Sequence, residues 1–226
     1  MKNNLIETKS KIDKQENILE EIEIQISNGY YKNALKIMKE YGFKVTGEGE
    51  YKIVFSLGSK RVFKLAKSGL GVSDIANEVR AAECAPELMP KIYKSGRGWA
   101  IVERIKHTLK NDKNIGSTFL NYFELDLNEL NKHLDITMFR GYHDILKFIR
   151  EYKHHKHFTP DYYKTIMSYF LSKNKFREFL KSIAKCNISL YDLHLNNFGF
   201  REDGSFVIID LFDESTSSVV IMFAHD

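Results

Sequence analysis

The 226-residue chain carries 34 Lys and Arg against 30 Asp and Glu, a net charge of +4, with 43% hydrophobic and 28% charged residues. This is the composition of a soluble globular protein with one good core or two small lobes, and its mild positive charge suits an anionic ligand without arguing for nucleic acid. The two cysteines, Cys84 and Cys186, have no CxxC spacing, so neither a disulfide framework nor a zinc site is indicated; no run approaches the roughly 18 apolar residues of a membrane span, and the polar N-terminus is no secretory signal, which makes the cytoplasm the expected location.

Residues 3–41 read as helix. Ile12, Leu19, Ile22 and Ile26 recur at helical spacing, Ser27-Asn28-Gly29 breaks the run, and Ala34, Leu35 and Met38 form a second stripe ending near Gly42. This segment, 1–42, is expected as an N-terminal helical extension. It is either an amphipathic cover for the domain behind it or a hairpin for an oligomer or partner contact.

From Phe43 the pattern turns to strands. Val45 to Phe55 reads as strand, glycine-containing bend and strand, and Arg61 to Ala66 follows as a third strand. Gly47 and Gly49 would let backbone N–H groups approach phosphate oxygens, although such a pair also occurs in ordinary turns. Lys64 interrupts the apolar run Val62-Phe63-Lys64-Leu65-Ala66, and a lysine on a partly buried strand needs an anionic partner. The next helix, expected over 74–85, supplies one: Glu78 shares a face with Ile75, Val79 and Ala82, with Glu83 as the reserve choice. Pro86 and Pro90 end that helix. Two further strands, 91–95 and 99–105, flank Gly96-Arg97-Gly98, so residues 43–105 are expected to form a compact α+β lobe.

Residues 106–226 are expected to be mostly helical, with helices over 119–134 and 144–152 and a long segment over 161–186 that breaks near Asn174. The stretch 140–157 holds Lys147, Arg150, Lys153, Lys156 and the imidazoles of His143, His154, His155 and His157. It is read as a solvated basic surface, with an acidic or phosphorylated substrate, RNA or a metal as alternatives. Near the end, two apolar segments flank Arg201-Glu202-Asp203-Gly204-Ser205. A two-residue Asp203-Gly204 turn would place Glu202 opposite Ser205 and Asn197 opposite Asp210, with Asp192 entering the same end. Two carboxylates and a carboxamide there would make an oxygen-rich Mg2+ site with a general base beside it; strand capping by Asn197 and Asp210 is the competing reading.

In chain order the parts are a glycine bend, a strand lysine, a helix glutamate, a strand pair, a helical region, Asp-x4-Asn, a hairpin and a second aspartate. Over residues 44–214 this resembles the protein-kinase-like superfamily. Gly47-x-Gly49-x-x-Lys52-x-Val54 is similar to the phosphate-covering loop with its third glycine replaced. Asp192-Leu193-His194-Leu195-Asn196-Asn197 fits the catalytic-loop spacing, in wording closest to aminoglycoside- and choline-kinase-like members. The resemblance implies an α+β, two-lobed fold with a small antiparallel-sheet N-lobe and a reduced, mostly helical C-lobe.

It also implies roles. Lys64 would contact the α- and β-phosphates of ATP and be held by Glu78. N–H groups near Gly47 and Gly49, with Val54 beside them, would cover the nucleotide, and main-chain groups from Glu103 to Ile105 would bind adenine. Asn197 and Asp210 would bind Mg2+, and Asp192 would orient and deprotonate a hydroxyl of a protein or small-molecule substrate. Leu190-Tyr191 replaces the usual His-Arg, Leu211-Phe212 replaces Phe-Gly, and sixteen residues follow Asp210, so no activation segment is expected. The expected function is therefore a reduced ATP- and Mg2+-dependent phosphotransferase. A nucleotide-binding pseudokinase serving as an interaction module is the alternative, and AMP transfer a third reading.

Overall fold

The computed structural model describes residues 17–105, 107–108, 115–134, 142–151, 160–188 and 197–210. Asp192 with its neighbours in 189–196, residues 152–159 of the basic stretch, and residues 3–16 of the expected first helix lie outside the described residues. The chain divides into two units. The first comprises Met1–Arg80 and Lys91–Arg104, the second Ala81–Pro90 and Ile105–Asp226.

In the first unit, β1 (Val45–Glu48), β2 (Lys52–Ser56), β3 (Arg61–Ala66), β4 (Ile92–Gly96) and β5 (Trp99–Glu103) form one antiparallel sheet in the order β1-β2-β3-β5-β4. Register places Phe55 opposite Phe63, Ile53 opposite Leu65, and Leu65 opposite Trp99. The two-residue period therefore sends these apolar side chains to one face and Lys52, Val54 and Lys64 to the other. Helices α1 (17–27) and α2 (Tyr31–Glu40) bury Ile18, Ile22, Ile26, Ala34, Ile37 and Met38 in the same core as Phe55, Phe63 and Trp99. At about 1.5–3 kcal/mol for each large side chain fully buried, the apolar stripes of the hairpin are part of this unit's own stability.

Helix α3 (Gly69–Cys84) begins five residues before the expected start. Gly69 and Gly71 conceal that first turn from a propensity reading, yet Gly71 is required there: a Cβ would collide with the Tyr51 carbonyl, which accepts a hydrogen bond from Lys67 N.

The second unit holds α4 (Ile115–Tyr122), α5 (Leu127–Leu134), α6 (Tyr142–Glu151), α7 (Pro160–Ser172) and α8 (Asn174–Lys185). Its three-stranded sheet runs β6-β7-β8, from β6 (His107–Thr108), β7 (Phe198–Phe200) and β8 (Phe206–Ile208). The helix expected over 119–134 is two helices. Glu124 turns into the left-handed region (φ 58), and the Asp126 carboxylate accepts from Asn128 N and Glu129 N, starting α5 as an N-cap. Asp126-x-x-Glu129 was a readable start signal.

The segment 81–90 is fastened within the second unit. Arg201 Nη2 donates to Met89 O (2.7 Å), Ile208 N to Leu88 O (2.7 Å), and Ser182 Oγ to Glu87 Oε1 (2.8 Å). Cys84, the last residue of α3, is disulfide-bonded to Cys186 at the C-cap of α8, corrected against a spacing that indicated no disulfide. The partners are 102 residues apart, and their approach depends on where two helix ends meet, which local spacing does not encode. Such bonds are rare in the cytosol, so this one weighs against the cytoplasmic expectation. Among the described residues no helix is long and apolar enough to cross a membrane. Replacing both cysteines with serine should lower the unfolding free energy by roughly 2–4 kcal/mol, read by urea denaturation; a wild-type curve unchanged by reductant would contradict this.

Candidate functional site

The lysine-bearing face of the sheet is where charge enters the first unit. On β3, Lys64 is held between Phe63 and Leu65, so its ammonium cannot leave the face that α3 covers. Lys64 is 7% exposed and Glu78 3%, and Lys64 Nζ donates to Glu78 Oε2 at 2.5 Å. A buried ammonium is tolerated only beside a carboxylate of this kind.

Two further charged groups join the pair. Lys52, at the start of β2, donates from Nζ to Glu78 Oε1 (2.8 Å) and lies 3.6 Å from Asp74 Oδ2, an ion pair just beyond hydrogen-bond reach. Lys52 and Asp74 are 8% and 2% exposed. Neither was singled out in the sequence as part of a charge cluster, although a signal existed. Asp74 precedes Glu78 by four residues and so shares its helix face, and Lys52 lies two residues from Val54 on the face of Lys64.

Gly47 lies in β1 and Gly49 in the bend after it. A Cβ at Gly47 would rest 3.7 Å from the Val54 side chain, and one at Gly49 3.7 Å from Lys52 O, both ordinary contacts. Packing therefore does not itself demand glycine at either position. The bend is held by Lys67, whose Nζ donates to Glu48 Oε1 (2.6 Å) and Gly49 O (3.1 Å). That hydrogen bond, reinforced by the Lys67 charge, keeps the Glu48 carboxyl below its ordinary range. Val54 pairs with Lys64 across the β2–β3 ladder.

Of the main-chain groups expected to meet adenine, Glu103 N already donates to Lys91 O (2.8 Å) and Arg104 N to Lys60 O (2.9 Å).

In the second unit the closing hairpin has a different register from the expected one. Phe198 is opposite Ile208 and Phe200 opposite Phe206, so Arg201 faces Ser205 and the loop has three residues. Gly204 takes the left-handed conformation (φ 80), Arg201 N donates to Ser205 O, and Asp203 Oδ1 accepts from both Ser205 N and Ser205 Oγ. A turn with a glycine bulge thus replaces the two-residue turn. Asn197 consequently faces Ile209, whose N–H donates to Asn197 O (2.7 Å), and Asp210 stands one position farther on. Because β8 ends at Ile208, strand alternation does not force Asp210 away from the Asn197 side. Asn197 is buried and Asp210 half-buried at the open end of the hairpin.

Among the described residues no group of three or more His, Cys, Asp and Glu side chains could hold a metal ion. Mg2+ asks for less, since one or two hard oxygen ligands plus substrate phosphates suffice. The Asn197 carboxamide and the Asp210 carboxylate are donors of that chemistry, so the residues present fit the ion.

The α+β architecture, with a lysine on β3 and its glutamate on the helix between β3 and β4, is the arrangement implied by the resemblance to the protein-kinase-like superfamily. No protein-family model and no curated protein sequence matches the chain. Two solved structures align with much of it. The streptomycin–ATP–APH(2″)-IIa ternary complex is 13% identical and covers 80% of this chain and 72% of its own, with a TM-score of 0.33. ADP-bound aminoglycoside phosphotransferase APH(2″)-Ib is 12% identical over 79% and 71%, with a TM-score of 0.35. The roles assigned below rest on this chain's own residues.

Proposed function

We propose that the chain is an ATP- and Mg2+-dependent phosphotransferase acting on a hydroxyl of a protein or small molecule. The observation that carries this reading is the buried Lys64–Glu78 pair. An ammonium fixed in a sheet beside a buried carboxylate, behind a glycine-containing bend, has the chemistry of a group that receives polyphosphate. In this reading Lys64 binds the α- and β-phosphates, and N–H groups of the bend that holds Gly47 and Gly49 cover them, apart from that of Gly49, which donates to Lys52 O. The Ile105 N–H serves adenine, Asn197 and Asp210 hold Mg2+, and Asp192 orients the substrate hydroxyl and accepts its proton. The bound ion would neutralise phosphate charge; the side chains supply position and a fixed field, which is most of what a loose phosphoryl-transfer transition state needs.

The test is incubation with γ-labelled and, separately, α-labelled ATP plus Mg2+, followed by a search for labelled protein and small molecules. Transfer from the γ position alone, abolished in Asp192→Ala and Asp210→Ala, is the expected result. Transfer of the α label would make the chain an AMP transferase. Nucleotide binding without any transfer would make it a pseudokinase. An absence of nucleotide binding would overturn the reading.

A further inference from the structure

We propose that Lys52 is a positioning residue of the nucleotide site, acting through Glu78 and Asp74 to keep the surroundings of Lys64 receptive to an anion. The inference rests on the nucleotide reading above and adds a residue that the kinase resemblance treats only as a replaced glycine.

Four charged side chains of the first unit meet on one face of the sheet. The β2–β3 register sets Lys52 opposite Ala66, two residues along from Lys64 and on the same side. Glu78 divides its carboxylate between them, Oε2 to Lys64 and Oε1 to Lys52, while Asp74 lies 3.6 Å from the Lys52 ammonium. All four groups are less than 10% exposed, so solvent screens their mutual interactions weakly.

The balance of charge gives Lys52 its role. Among the described residues, two ammoniums and two carboxylates meet here. Without Lys52, the surroundings of Lys64 would be one positive charge poorer beside the buried Asp74 and Glu78 carboxylates, and so less favourable to phosphate. Lys52 also grips Glu78 by the oxygen that Lys64 does not use, which fixes the carboxylate from both sides. It further ties α3 to β2 at two acids one helical turn apart. Nucleotide affinity should then follow the charge of the cluster, which a purely structural ion pair would not make it do.

The experiment titrates full-length protein with the Mg2+ complex of the non-hydrolysable ATP analogue AMP-PNP by calorimetry, with thermal unfolding of each variant in parallel. Lys52→Met should bind roughly 10- to 100-fold more weakly than wild type, the scale of one poorly screened charge at short range. Lys52→Arg should keep most of the affinity. Lys52→Met/Asp74→Asn, which removes one charge of each sign, should recover most of what Lys52→Met loses. Asp74→Asn alone, which removes one negative charge, should bind more tightly than wild type, and this arm stands even if Lys52→Met does not fold. Wild-type affinity in folded Lys52→Met, or an Asp74→Asn no tighter than wild type, overturns the role of Lys52 and leaves the nucleotide reading intact. A wild type that does not bind overturns that reading itself.

Discussion

Glu78→Ala is expected to lower the unfolding free energy of the first unit by about 3–5 kcal/mol, the cost of breaking a buried ion pair from one side. The substitution removes the carboxylate that Lys64 and Lys52 share, at 2.5 and 2.8 Å. Lys64 keeps its place on β3 because Phe63 and Leu65 remain anchored on the other face of the sheet, so its ammonium cannot simply swing into water. Asp74 offers partial compensation, but it lies on the Lys52 side of the cluster. The effect is read in urea denaturation through the single tryptophan, Trp99, which is buried in the core of this unit and stacks on Phe63. A loss below about 1 kcal/mol, the range of exposed pairs, would mean that the pair is screened by solvent and cannot serve as a desolvated phosphate-binding group. Glu78→Gln should fall between, since its carbonyl oxygen still accepts one hydrogen bond while its charge is gone.

This site was legible where one periodic signal dictated it. Lys64 stood out as a charge inside a β-branched and aromatic run, and Glu78 as an acid on the apolar stripe of the following helix; together they predicted a contact across 14 residues that the structure contains. Lys52 and Asp74 carry the same physics with a weaker signal. Lys52 begins its strand after a polar bend, where a lysine ordinarily faces water, and Asp74 occupies what looked like a helix start, where acids are common for reasons of capping and dipole. Only the β2–β3 register and the earlier start of α3 turn them inward.

The hairpin failed for a different reason. Asp203-Gly204 fits both a two-residue turn and a three-residue turn with a glycine bulge, and the two differ by one residue in register. The Ser205 hydroxyl and N–H, both donating to Asp203, accompany the longer form, and Asn197 therefore meets Ile209. The disulfide was beyond any local reading, because it records where the ends of α3 and α8 meet. The break between α4 and α5 was not: Asp126-x-x-Glu129 announces it, and an apolar count that runs through Phe123 and Leu125 hides it.

The second large effect is expected in the other unit, where Phe206→Ala should cost about 3–5 kcal/mol. Phe206 is 1% exposed, and its ring lies 5.0–6.0 Å from those of Phe119, Tyr122, Phe123, Phe179, Phe198 and Phe200. These neighbours come from α4 and the turn after it, from α8 and from β7, so one side chain joins the hairpin to the helices on which it rests. Truncation leaves a cavity bounded by stiff rings, which cannot collapse as flexible aliphatic side chains can, and it forfeits several edge-to-face contacts at once. Because Phe206 opens the strand that leads to Asp210, and Phe198 directly follows Asn197, the same cavity loosens the backbone carrying both proposed Mg2+ ligands. Phe206→Ala should therefore also raise the Mg2+ concentration needed for half-maximal phosphotransfer, whereas Phe206→Leu, which refills most of the space, should show a smaller loss of stability and little change in Mg2+ demand. Far-UV circular dichroism weights this unit, which among the described residues holds most of the helix, while Trp99 reports on the first. A Phe206→Ala protein that is destabilised but unchanged in Mg2+ dependence would show that the hairpin end is fixed by something other than this aromatic cluster.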